Sequence, residues 1–95
     1  MVILIVERVT PSLRGHLSRW MVEPKAGVFV GKVSALVRDS LWKLVSERVK
    51  EGAAVLIHST NNEQGFTMTT LGDRNRTLVD MEGLQLVKRV LRIYP

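Results

Sequence analysis

Glu7 and the arginines that follow it are the residues with chemistry to offer. Glu7 stands where the apolar run Val2-Ile3-Leu4-Ile5-Val6 gives way to a turn at Thr10-Pro11. A buried strand there delivers a carboxylate to the surface. Such a carboxylate could ligate Mg²⁺ or Mn²⁺, but a hydrolytic divalent site wants several oxygen ligands. No other acid lies near Glu7 in sequence, so a second ligand would come from a symmetry-related copy of the chain. The bland alternative is a solvated or salt-bridged strand end beside Arg8.

Other reactive types do not assemble into a site. His16 and His58 are far apart and have no partner at metal-ligand spacing, so both read as ordinary helix-surface and strand-end residues. Ser34, Ser59 and Thr60 have no His/Asp constellation to activate them. The glycines follow no Gly-x-Gly-x-x-Gly or Walker pattern, which leaves them to turns. The chain has no cysteine, hence no disulfide framework and no thiolate metal site.

Charge points to a partner. Fourteen Lys and Arg against nine Asp and Glu give +5, a balance that suits a polyanion. The cations recur in clusters: Arg14 and Arg19; Arg38, Lys43, Arg48 and Lys50; Arg74 and Arg76; Lys88, Arg89 and Arg92. That distribution fits a folded surface better than a basic tail. Aromatic content is only 5 %, too low for a base-stacking platform, and Trp20, Trp42 and Phe29 lie among apolar residues that suggest core packing. Contacts of arginines with duplex phosphates, independent of sequence, fit best.

The elements that position these residues follow from local signals. Thr10 caps a helix with Pro11 at its first position. Leu13, Leu17, Trp20 and Met21 make its apolar stripe, and it must end before Pro24. Short strands at Met21–Pro24 and Val28–Val30 flank a turn at Lys25-Ala26-Gly27, with Pro24 on a sheet edge. Ser34 caps a long helix over about 35–50, stopped by Gly52. Its stripe is Val37, Leu41, Leu44, Val45 and Val49, with Arg38, Lys43 and Arg48 looking outward. Ala53–Ser59 is another apolar strand. A polar loop over 60–65 leads to a strand at Phe66–Leu71, a loop at Gly72–Thr77 and a turn at Asp80–Gly83. Leu84–Ile93 fits neither period cleanly.

This order predicts an α+β fold: a ferredoxin-like β-α-β-β-α-β sandwich with an additional C-terminal strand. Both helices then cover one sheet face, yet strands 2–6 and 53–57 are apolar on both. A second copy of the sheet is the natural cover, so a homodimer is expected. Residues 1–77 read as the folded unit and 78–95 as a C-terminal docking segment of one domain. With 45 % apolar residues, the chain is not a disordered one. The longest apolar runs are too short to cross a bilayer. No secretory signal is expected, and a cytoplasmic location follows as the default.

Several stretches in order resemble the CRISPR-associated protein Cas two family, in the subtype of type I-E systems. They are the strand with its acid, Pro11-Ser12-Leu13-Arg14-Gly15, Ala26-Gly27-Val28-Phe29-Val30-Gly31 and Val33-Ser34-Ala35 with a Trp42-containing helix. Thr60-Asn61, Gly65-Phe66, Arg76-Thr77 and Val79-Asp80-Met81-Glu82-Gly83-Leu84 continue the likeness. The resemblance spans roughly residues 1–87. It implies a homodimer at the centre of the spacer-acquisition complex, bridging dimers of the integrase, Cas one, on a double-stranded DNA protospacer. Many members are also described as metal-dependent nucleases on RNA or duplex DNA.

Residue by residue, the resemblance implies the strand-end acid at Glu7 and a backbone-clamping arginine at Arg14. A second clamp arginine falls at Ser12. Arg76 matches one of a pair of loop arginines, and Arg74 stands displaced from the other. Asp80 and Glu82 lie in the integrase-docking segment with Leu84 and Leu86. The expected function is a phosphate-binding scaffold contacting DNA through Arg14, Arg19, Arg38, Arg74 and Arg76, with no cofactor required. The alternative is a Mg²⁺- or Mn²⁺-dependent phosphodiesterase acting on RNA or duplex DNA, with Glu7 as catalytic residue and metal ligand shared across the dimer. A third reading is a small RNA-binding or regulatory ferredoxin-like domain.

Overall fold

In chain order the elements are β1 (Val2–Val6), α1 (Pro11–Leu17), β2 (Val22–Lys25), β3 (Val28–Gly31), α2 (Ala35–Arg48), β4 (Ala54–Ser59), β5 (Phe66–Leu71), β6 (Arg76–Met81) and β7 (Leu84–Arg89). The computed structural model describes residues 1–49, 52–72, 76–81 and 84–89, with side chains for 1–49, 52–72 and 84–87. The first five strands form one antiparallel sheet in the order β2-β3-β1-β4-β5. The first apolar run is thus the middle strand, and β2 with Pro24 is an edge, as its sequence requires.

Strand alternation divides β1 between two environments. Val2, Leu4 and Val6 are buried beneath the helices with Leu13, Leu17, Phe29, Leu41, Val45 and Leu56. Ile3 and Ile5 point the other way and are half-buried. Across that second face Ile3 pairs with Val30 and Ile57, Ile57 with Met68, and Ile5 with Val28 and Val55. The result is two nearly apolar cross-strand rows with no helix over them among the described residues.

The caps form as predicted. Thr10 Oγ1 accepts the Leu13 N–H at 3.2 Å and Ser34 Oγ accepts that of Val37 at 3.2 Å, each worth about 1 kcal/mol. The first helix is shorter than its apolar stripe suggests. It ends at Leu17, whose carbonyl then receives the N–H groups of both Trp20 (3.1 Å) and Met21 (3.0 Å). This tight turn swings Met21 into the core and leaves Trp20 54 % exposed, so Trp20 is not the core residue its spacing implied. Phe29 is fully buried, and Trp42 packs on the core.

The C-terminal third departs furthest from the expectation. The expected added strand is β5, which completes the main sheet, and beyond it β6–β7 form a separate two-stranded sheet. The predicted loop at Gly72–Thr77 is cut short by β6 beginning at Arg76, and the ambiguous segment after Leu84 is a strand through Arg89. Leu84 and Leu86, two apart, suit a strand period. Asp80 and Met81, predicted in a turn, belong to β6, and residues 82–83 of that turn lie outside the described residues. The expected boundary between 77 and 78 falls inside β6.

Side-chain amides tie this hairpin to the main sheet. Gln85 accepts from the Met68 N–H through Oε1 (2.6 Å) and donates to the Met68 carbonyl through Nε2 (3.1 Å). Gln64 does the same to the Gln85 backbone, at 2.8 Å for each bond. One amide therefore takes the place of a strand along the β5 edge, which would otherwise expose its backbone groups.

Candidate nucleic-acid interface

Backbone bonds carry β1 to the surface at Glu7. The Val6 N–H donates to the Gly27 carbonyl at 2.8 Å and the Glu7 N–H to Ala53 at 2.9 Å. Arg8 then turns the chain with φ +55, a left-handed conformation costly for a residue with a Cβ. Glu7 is exposed. An open depression of about 490 Å³ is lined by Glu7, Arg8, Arg14, Ala26 and Gly27, among others, so Glu7 and Arg14 share one hollow. Among the described residues no three His, Asp or Glu side chains gather as a metal site.

Arg14 is not a bare cation. Its Nε lies 3.0 Å from Glu23 Oε1 and 3.1 Å from Oε2. The Gly27 N–H donates to Glu23 Oε2 at 2.9 Å. That backbone donor, together with Arg14, holds the Glu23 carboxyl below the usual carboxylate range, against the opposing effect of its partial burial. Gly27 can play this part because its φ is +80 and a Cβ there would stand 2.5 Å from the Val6 carbonyl oxygen. Sequence reasoning missed Glu23. No spacing rule links residues on a helix and on the strand after an irregular turn.

A second open depression, of about 260 Å³, lies on the outer side of α1 and is lined by Pro11, Ser12, Gly15, His16 and Arg19. Arg48, from the last turn of α2, reaches it by donating from Nη1 to Ser12 Oγ at 3.0 Å. A guanidinium from α2 thus stands beside the residue where the resemblance implies one from α1.

Arg38 departs from its predicted outward position. Its side chain is only 22 % exposed, with Nε 3.0 Å from Asp39 Oδ1 and Nη1 3.2 Å from His58 Nδ1. A guanidinium only donates, so this contact has Nδ1 accepting, whereas the 3.3 Å approach of the same Nδ1 to the Ser59 carbonyl needs Nδ1 to donate; a given tautomer makes one of the two. Arg38 lines neither depression. Arg76 lies on β6 opposite Arg89, and Asp80 opposite Gln85; their side chains are outside the described set. Arg74 and Glu82 lie outside the described residues. Leu84 and Leu86 are 39 % and 47 % exposed on the hairpin.

The fold and this surface define a small basic α+β protein, with two helices on one face of an antiparallel sheet and arginines bordering the two open depressions described. Residues 1–86 match the family model described as CRISPR-associated protein (Cas_Cas2CT1978). The chain belongs to that family, a CRISPR-associated protein of the Cas two type.

Proposed function

We propose that this chain is a spacer-acquisition protein: a homodimeric scaffold that grips protospacer duplex DNA through its phosphates and bridges integrase (Cas one) dimers. The observation that carries this reading is the placement of Arg14 and Arg19 on open depressions of a +5 chain that belongs to a CRISPR-associated family. Guanidinium groups at an open surface can reach a backbone without reading bases. The uncovered rows through Ile3, Ile5 and Ile57 support a second copy as the cover for the sheet. The exposed Leu84 and Leu86 support the hairpin as the integrase-docking element.

The scaffold reading is tested by mixing the chain with integrase and a duplex and measuring particle mass by light scattering. A homodimer carrying integrase at both ends is expected, and removal of residues 78–95 should release integrase while duplex binding persists. Integrase binding that survives the truncation would contradict the docking role.

One observation favours the nuclease reading: Glu7 is exposed in the same hollow as Arg14, where a phosphate could meet a carboxylate-bound Mg²⁺ or Mn²⁺. It predicts that Glu7→Gln abolishes cleavage of RNA or duplex DNA with dimer and binding intact. Unchanged cleavage would remove that reading.

A further inference from the structure

Gly31 sits at the end of the sheet remote from Glu7. It pairs with Val2, the first residue of β1, whereas Glu7 follows the last. A Cβ on Gly31 would stand 3.0 Å from the Trp20 carbonyl oxygen and 3.1 Å from Met21 Cγ, so the chain leaving α1 is pressed against the end of β3. There Met21 takes the buried side and Trp20 the solvent side. The second helix begins four residues after Gly31, and Leu36 in its first turn is 79 % exposed. Lys32, next to Gly31, and Arg19, next to Trp20, are exposed as well. Residues 13–22 carry no acid and residues 28–46 only Asp39, whose carboxylate accepts from Arg38 at 3.0 Å.

We propose that this pole, built on Trp20, Lys32 and Leu36, docks a protein segment that presents apolar side chains among carboxylates. The inference does not depend on the duplex reading. A Trp and a Leu left in water at one end of the molecule gain nothing from a phosphate backbone, whereas a partner that desolvates them gains apolar burial. Tryptophan is also a residue type that commonly carries interface energy. The cations around them set the sign of the partner's rim, because complementary charge steers and selects the segment that docks. A second copy of the same pole would bring like charges together, so self-association is disfavoured there. A membrane surface fits less well. Insertion into a lipid interface calls for a helix with a continuous apolar face, and the exposed positions Ser12, Gly15 and His16 of α1 are polar or small. The early end of α1 at Leu17 thereby acquires a purpose: it withholds Trp20 from the core and offers it to a partner.

The experiment titrates the full chain into a short fluorescein-labelled peptide of glutamate, leucine and phenylalanine, followed by anisotropy at physiological salt. A counterpart with lysine for glutamate, anionic phosphatidylglycerol vesicles and a labelled duplex serve as comparisons. Wild type is set beside Trp20→Ala, Leu36→Ser and Lys32→Glu, each checked for an unchanged thermal midpoint. The acidic peptide is expected to bind and the lysine peptide not to. Trp20→Ala should weaken acidic-peptide binding about tenfold or more, and Leu36→Ser about threefold to tenfold, as for buried interface anchors. Lys32→Glu should weaken it about tenfold by reversing a rim charge. Duplex binding should be unchanged in Trp20→Ala and Leu36→Ser. Acidic-peptide binding that ignores both apolar substitutions would reduce the pole to general charge attraction and overturn the proposal. So would equal binding of the lysine peptide, duplex binding that falls with Trp20→Ala, or Trp20-dependent binding of vesicles without binding of the peptide. A wild type that binds the peptide through Trp20 but no duplex would sink the scaffold reading and leave this one standing.

Discussion

Arg14 Nε sits 3.0 and 3.1 Å from the two carboxylate oxygens of Glu23, and the same carboxylate accepts the N–H of Gly27 at 2.9 Å. The arginine expected to touch DNA is therefore oriented by an acid that also competes with phosphate for it. Replacing that acid should release the arginine. Glu23→Gln is expected to tighten duplex binding up to about fivefold, the scale of an exposed ion pair, in a fluorescence-anisotropy titration at low salt. Weaker binding would mean that orientation by Glu23 matters more than the charge it cancels. Glu23 also carries a pH signature. Its folded pKa is depressed, so the stability it contributes is full above the ordinary glutamate range and is lost as pH falls through the folded value. Denaturation midpoints measured down the acid limb should fall less steeply in Glu23→Gln than in wild type.

Gly27 ties this site to β1. At φ +80, with a Cβ position 2.5 Å from the Val6 carbonyl oxygen, Gly27→Ala meets both a backbone penalty and a clash. A loss of about 1–3 kcal/mol is expected, read as a lower urea midpoint.

The Gln64–Gln85 clasp predicts a local effect with little global one. Gln85→Ala removes both amide bonds to Met68 and leaves a strand edge unprotected. Hydrogen exchange at the Met68 amide should accelerate by about tenfold or more, the scale of one lost buried hydrogen bond, while amides of β1 keep their protection. Equal acceleration in both strands would mean that the hairpin supports the whole sheet.

The sheet face with no described helix over it gives the proposed dimer its test. Ile57 lies between Ile3 and Met68 in one cross-strand row, and Ile57→Glu places a charge at its centre. Sedimentation at micromolar concentration should show a dimer for wild type and a monomer for the variant, with helical signal retained. A dimer that persists would place the contact elsewhere.

What could be read in advance divides along physical lines. Caps, turns and apolar alternation are local signals, and they located Thr10, Ser34, Gly27 and the split of β1 between two faces. The last turn of α1 was not legible, because nothing in the sequence between Leu17 and Trp20 announces that one carbonyl will take both following N–H groups. The C-terminal hairpin was hidden by the polar start of β6 at Arg76 and Thr77 and by a Gln85 side chain acting as a strand. The site was half legible. Arg14, singled out by the resemblance, and Arg19 do line open depressions, whereas Glu23, and Arg48 beside Ser12, depend on tertiary placement that no sequence period encodes. Arg38 shows the reverse: an outward helix position by sequence, drawn in by His58.

The central claim is that the chain holds duplex DNA by its phosphates through Arg14 and its neighbours. The most direct test is the salt dependence of binding to two duplexes of unrelated sequence, for wild type and Arg14→Ala. The expected result is equal affinity for both duplexes, weakened alike by Arg14→Ala, with a salt slope about 0.9 smaller in magnitude. Loss confined to one sequence, or a slope that Arg14→Ala does not change, would contradict it.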